Sequence, residues 1–323
     1  MSSRIIKHKL KCIEYTHFVW PILFSTSQRQ EKSPNHYTFD SMTSFVKSSD
    51  QSIQLAYKTL GSGDEVMLLF HGFGHVKEEL EFVIYHLSTH FKVILIDLPG
   101  HGESEWNENL RSNRPISKQE WKEMIETITR NENVKRFHLV GYSLGGRMAL
   151  VTAEVLSQRI SSLTLFSPDG LYKSPWYRFG NDWAVGRKVL KFALKQAKNS
   201  VSIVNYAAKW KLLPKEKAKF VTYQLEDHRR LAMVSQVWNA LRMCWPNLDK
   251  IFSNAPFYTT IVFGKKDPII LPRYGDRLKK FSQSSIRILI APLGHRTLKS
   301  EGIDFLSNQG YWPPSSSEPV ERV

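Results

Sequence analysis

From Ser44 onward the apolar positions switch repeatedly between a two-residue and a 3.6-residue period. Ser52–Lys58 alternates apolar and polar residues as a half-buried strand does, and Gly61-Ser62-Gly63-Asp64 follows as a turn. Val66–Phe70 and Val93–Asp97 are strand-length apolar runs, ending in His71-Gly72-Phe73-Gly74 and Leu98-Pro99-Gly100-His101-Gly102. Glu78–Leu87, Lys118–Arg130 and Gly145–Ser157 carry helical spacing, and Phe137–Tyr142 and Ile160–Phe166 read as buried strands. Strands alternating with helices predict an α/β fold, with a mostly parallel central sheet flanked by helices.

After Gly170 the alternation stops. Gly186–Lys198 and Arg229–Met243 read as helices, with Pro214 as a breaker between them. The strand pattern resumes at Tyr258–Phe263 and Ile286–Ile290. The expected organisation is a core of residues 42–170 and 251–310, a helical lid over 171–250, a leader over 1–41 and a disordered tail over 311–323. The leader is a poor signal peptide, because Glu14, His17 and Pro21 interrupt its apolar patch. Met42 is a candidate start.

Composition narrows the class. Hydrophobic residues make up 41% and charged residues 23% of the 323, which excludes a collagen-like or mainly disordered chain. No apolar run approaches the roughly 20 residues of a spanning helix. The two cysteines, Cys12 and Cys244, provide neither a disulfide framework nor zinc-ligand spacing, and suit a reducing, cytoplasmic location. The net charge is +15, and residues 171–250 hold 16 Lys and Arg against 5 Asp and Glu. With no nucleic-acid module in view, this excess is either a solvated basic surface or a contact for an anionic small-molecule substrate or, peripherally through the lid, for a membrane.

The candidate chemistry centres on Gly141-Tyr142-Ser143-Leu144-Gly145, a G-x-S-x-G string between an expected strand and an expected helix. There a serine stands on a tight turn at a helix N-terminus, exposed as a nucleophile. It needs a base and an orienting acid. His295 is the only one of the 11 histidines to follow the last expected strand. Asp169 and Asp267 both lie just past strand ends; Pro168-Asp169-Gly170 is explained as a turn, so Asp267 is favoured. The backbone N–H groups of Phe73 and Leu144 are the expected oxyanion donors. Tyr142, Trp176 and Arg178 are candidate substrate contacts, and this chemistry calls for no metal or organic cofactor.

These motifs, in this order, resemble the α/β-hydrolase superfamily over roughly residues 44–309. The resemblance implies a lidded serine hydrolase that cleaves a carboxylic ester or thioester through an acyl-enzyme. The longer string Gly141-Tyr142-Ser143-Leu144-Gly145-Gly146-Arg147 is similar to the 2-succinyl-6-hydroxy-2,4-cyclohexadiene-1-carboxylate synthases and to pimeloyl-ACP methyl ester esterase-like carboxylesterases. In the former, a lyase family, the same triad abstracts a proton and lid-side arginines hold substrate carboxylates, with Arg178 and Arg187 as counterparts here. A membrane-surface lipase and a non-catalytic binding protein of the same fold are the remaining alternatives.

Overall fold

The computed structural model describes residues 42–87, 90–111, 114–173, 175–195, 209, 228–281 and 285–314. The expected leader and most of the expected tail lie outside these. The strands are β1 (Ser44–Lys47), β2 (Ile53–Leu60), β3 (Glu65–Phe70), β4 (Phe91–Ile96), β5 (Glu105–Trp106), β6 (Phe137–Tyr142), β7 (Ile160–Phe166), β8 (Tyr258–Gly264) and β9 (Ile286–Ala291). The helices are α1 (Glu108–Arg111), α2 (Lys118–Asn131), α3 (Leu144–Val155), α4 (Pro175–Asp182), α5 (Ala184–Lys195), α6 (His228–Leu241), α7 (Leu248–Phe252) and α8 (Ser300–Asn308).

The nine strands form one sheet in the order β1-β2-β4-β3-β6-β7-β8-β9, with β5 paired to β2. The pairs β1–β2, β2–β4 and β2–β5 are antiparallel, and every pair from β4 to β9 is parallel. Parallel strands covered on both faces lose all contact with water, which explains the unbroken apolar runs. Every residue of β6 is buried, as are all but the first of β3. The register pairs Phe70 with Ile96 and Gly141, Tyr142 with Phe166, and Gly264 with Ala291. Six strands therefore end along one edge, and their loops leave side by side.

Local sequence explains the flanking helices. Ser117 and Glu120 form a reciprocal capping box at the start of α2, satisfying two otherwise orphaned amides. Buried Trp121 then donates its indole N–H to Thr152 on α3 at 2.8 Å. The helix expected over Glu78–Leu87 is present as a 3₁₀ helix over Lys77–His86. Its buried residues Lys77, Leu80 and Val83 recur every three positions, which matches a helix of three residues per turn.

Two compact units emerge. The larger holds the sheet together with α1–α3 and α6–α8. The smaller holds α4 and α5, where Arg187 donates to the carbonyls of Asn181 and Asp182. Residues 228–250, read from sequence as part of the inserted segment, fall in the larger unit. There Ile116 N–H donates to the Ala240 carbonyl at 2.8 Å, and Cys244 is buried.

Candidate active site

Ser143 is the hinge between β6 and α3. Its backbone sits at φ 52°, ψ −115°, a region L-residues rarely occupy and one that costs about 1–3 kcal/mol. The turn tolerates no side chain at the flanking glycines. A Cβ on Gly141 would lie 2.5 Å from the Gly145 carbonyl oxygen, and one on Gly145 would run into the carbonyl of Phe70. The turn is pinned from β7: Ser143 N–H donates to the Phe166 carbonyl at 3.0 Å, and Asp169 N–H donates to the Ser143 carbonyl at 2.9 Å.

His295, in the loop after β9, reaches both other candidates. Its Nε2 lies 3.0 Å from Ser143 Oγ and its Nδ1 2.8 Å from Asp267 Oδ2. Asp267 is itself held: its Oδ1 accepts the amides of Ile269 at 2.8 Å and Ile270 at 3.0 Å, leaving Oδ2 for the imidazole. All three residues are buried. The Nδ1 proton donates to the carboxylate, so Nε2 is left to accept the serine proton.

Asp169, the competing acid, goes elsewhere. Its carboxylate faces Arg147 on α3, with Oδ2 3.4 Å from Nε, and Arg147 also lies over the Trp245 ring. Burial pushes the Asp169 carboxyl up to about 6, while the Arg147 charge pulls the other way.

Leu144 is the first residue of α3, so its N–H has no intrahelical acceptor. Phe73 lies in the loop leaving β3, its ring edge-on to His101, which in turn meets His71 edge-on. His71 ties that loop to the end of β4. Its Nδ1 donates to the Gly72 carbonyl at 2.7 Å, and its Nε2 accepts the Leu98 amide at 3.0 Å. Burial drives its ring pKa down to about 3, so it is neutral.

Tyr142 is buried with its ring tilted against His295, centroids 5.5 Å apart. Burial raises its phenol pKa, which keeps it protonated. Arg178 is exposed on α4, and the side chain of Trp176 lies outside the described residues.

One feature escaped the sequence reading. Buried Lys77 bonds Asp97 at 2.9 Å and Glu103 at 2.6 Å, and its own amide donates to Asp97 Oδ1 at 2.7 Å. Burial alone would lower its pKa; the hydrogen bonds to Glu103 and Asp97 raise it instead. Adjacent Glu78 also stands 2.9 Å from its Nζ, but Asp97 and Glu103 come from twenty and more residues away, so the lysine carries no local signal of burial.

A sequence profile described as the alpha/beta hydrolase fold matches residues 65–300. The chain belongs to the α/β-hydrolase fold family. Among curated relatives of this chain, the pimeloyl-[acyl-carrier protein] methyl ester esterase of Sodalis glossinidius is 29% identical over 131 residues, 41% of this chain and 45% of that one. A dihydrolipoyllysine-residue acetyltransferase component of the acetoin cleaving system from Pseudomonas putida is 32% identical over 114 residues, 34% of this chain and 29% of that one. The chain thus spans less than half the length of these relatives. Among solved structures, an alpha/beta hydrolase enzyme from a Medee basin deep-sea metagenome library superposes with a TM-score of 0.59 at 16% identity. That match covers 82% of this chain and 95% of the other.

Proposed function

We propose that this hydrolase cleaves a carboxylic ester or thioester through a covalent acyl-enzyme on Ser143. The observation that carries the reading is His295 bridging Ser143 Oγ and Asp267 Oδ2 at 3.0 and 2.8 Å, with the serine held at a strained turn before α3. As Ser143 Oγ attacks the carbonyl carbon, His295 Nε2 takes its proton and the carbonyl π pair moves to oxygen. The amides of Leu144 and Phe73 donate to that oxyanion; losing one such donor costs about 3–4 kcal/mol of transition-state stabilisation. Asp267 holds the imidazole by its Nδ1–H and stabilises its cation. Collapse breaks the bond to the alcohol or thiol, which leaves with the proton from His295. Water, deprotonated by His295, then attacks the acyl carbon and frees the acid and Ser143.

The relation to pimeloyl-[acyl-carrier protein] methyl ester esterases supports an ester substrate with an acyl chain. The test is turnover of p-nitrophenyl esters from acetate to palmitate by wild type and Ser143→Ala. Hydrolysis by wild type that disappears in the variant supports the reading, and the preferred chain length sizes the acyl site. Turnover that survives in Ser143→Ala overturns it.

A further inference from the structure

Helix α5 carries four basic residues, Arg187, Lys188, Lys191 and Lys195, and no acidic one. Val185, Val189 and Phe192 follow one another at steps of four and three residues, one line along a helix. All three stay exposed, at 66%, 52% and 66%. The helix does have a packed side: Gly186 is buried, and a Cβ there would strike the carbonyl of Phe179 on α4. The apolar line is therefore additional to the face that holds α5 in its own unit. By sequence spacing at 3.6 residues per turn, positions 188, 191 and 195 fall in a row along one border of that line.

An apolar line bordered by cations is complementary to a surface with an anionic rim over an apolar interior. A soluble polyanion would satisfy the lysines and leave Val185, Val189 and Phe192 in water; an anionic phospholipid bilayer accommodates both. Among the described residues no helix is long and apolar enough to cross a membrane, so the contact is with the surface. We infer that α5 docks on an anionic phospholipid bilayer, with Val185, Val189 and Phe192 entering the headgroup–acyl boundary, Lys188 meeting lipid phosphate and the basic, acid-free composition of the helix drawing it to the anionic surface. This goes beyond the ester-cleaving reading and requires no turnover.

The test is sedimentation of the full chain with vesicles of mixed phosphatidylglycerol and phosphatidylcholine, against pure phosphatidylcholine, at low and high salt. Wild type is expected to pellet with the mixed vesicles at low salt and to be released at high salt. Each of Lys188→Gln and Lys191→Gln is expected to weaken binding about fivefold. The Val189→Ser/Phe192→Ser variant is expected to stay in the supernatant with an unchanged melting temperature, since both side chains are already exposed. Wild type that fails to pellet with anionic vesicles overturns the inference. So does equal binding to pure phosphatidylcholine, or a folded serine double variant that binds as wild type does.

Discussion

Asp169 holds Ser143 by its backbone and Arg147 by its side chain: its amide donates to the Ser143 carbonyl at 2.9 Å, while its carboxylate stands 3.4 Å from Arg147 Nε. The acid nearer Ser143 in sequence is thus engaged at the turn, and Asp267, 124 positions after Ser143, meets the imidazole.

That division separates the two aspartates by experiment. Asp267→Asn removes the charge that fixes the His295 tautomer, and kcat on a p-nitrophenyl ester should fall by about 10⁴. Asp169→Asn keeps its amide to Ser143 and leaves the His295 contacts alone, so kcat should stay within about tenfold of wild type. Steady-state kinetics on both variants checks this, and the reverse order of effects would reassign the orienting acid.

The Arg147–Asp169 pair should show in the pH dependence of stability. Because burial raises the Asp169 carboxyl from 3.8 to about 6, the folded chain keeps a proton that the unfolded chain has lost between those values. Stability from this group is full below 3.8 and declines as pH rises through 6, by about 3 kcal/mol. Arg147→Met removes the charge that opposes this shift. At pH 8 it should cost about 3–5 kcal/mol by stranding a buried carboxylate, and at pH 5 clearly less, because the carboxyl is protonated. Urea denaturation at the two pH values measures the difference; equal losses would mean that the pair contributes through packing alone.

His71 acts with the opposite sign. Its Nε2 accepts the Leu98 amide, so a proton there would face an N–H, and burial already holds the ring pKa near 3. The unfolded chain takes up a proton near 6.5 that the folded chain refuses. Stability from His71 is full above about 6.5 and is lost as pH falls toward 3. The slope of unfolding free energy against pH in that window should flatten in His71→Asn. An unchanged slope would place the acid sensitivity elsewhere, with buried His101 the next group to replace.

Space at the turn should divide the glycines. Gly145→Ala drives a methyl group into the Phe70 carbonyl and should cost at least about 3 kcal/mol or prevent folding. Gly294→Ala, beside His295 but with nothing within 4 Å of the added carbon, should shift stability by less than about 1 kcal/mol. Thermal melting of the two variants makes the comparison.

Much of the sheet was legible in the chain because strands buried on both faces must be apolar throughout, as Phe137–Tyr142 and Ile160–Phe166 are. The turn at Ser143 was legible too, since only glycine fits at 141 and 145 and both lie two positions from the serine they serve. Local pattern misread the form of Lys77–His86, where a three-residue burial rhythm over ten residues is easily taken for an α-helical one.

By itself, then, the sequence determined the α/β alternation, the strand-end positions of Ser143, Asp169, Asp267 and His295, and the basic, acid-free composition of α5. Only the tertiary structure decided which aspartate faces His295, that Arg147 neutralises the other, that Lys77 lies buried between Asp97 and Glu103, and that Val185, Val189 and Phe192 stay in water. The first set follows from backbone periodicity and sterics, which act over a few neighbouring residues. The second depends on which loops the parallel register brings to one edge and on how completely each charge loses its water, and those are properties of contacts between residues far apart in the chain.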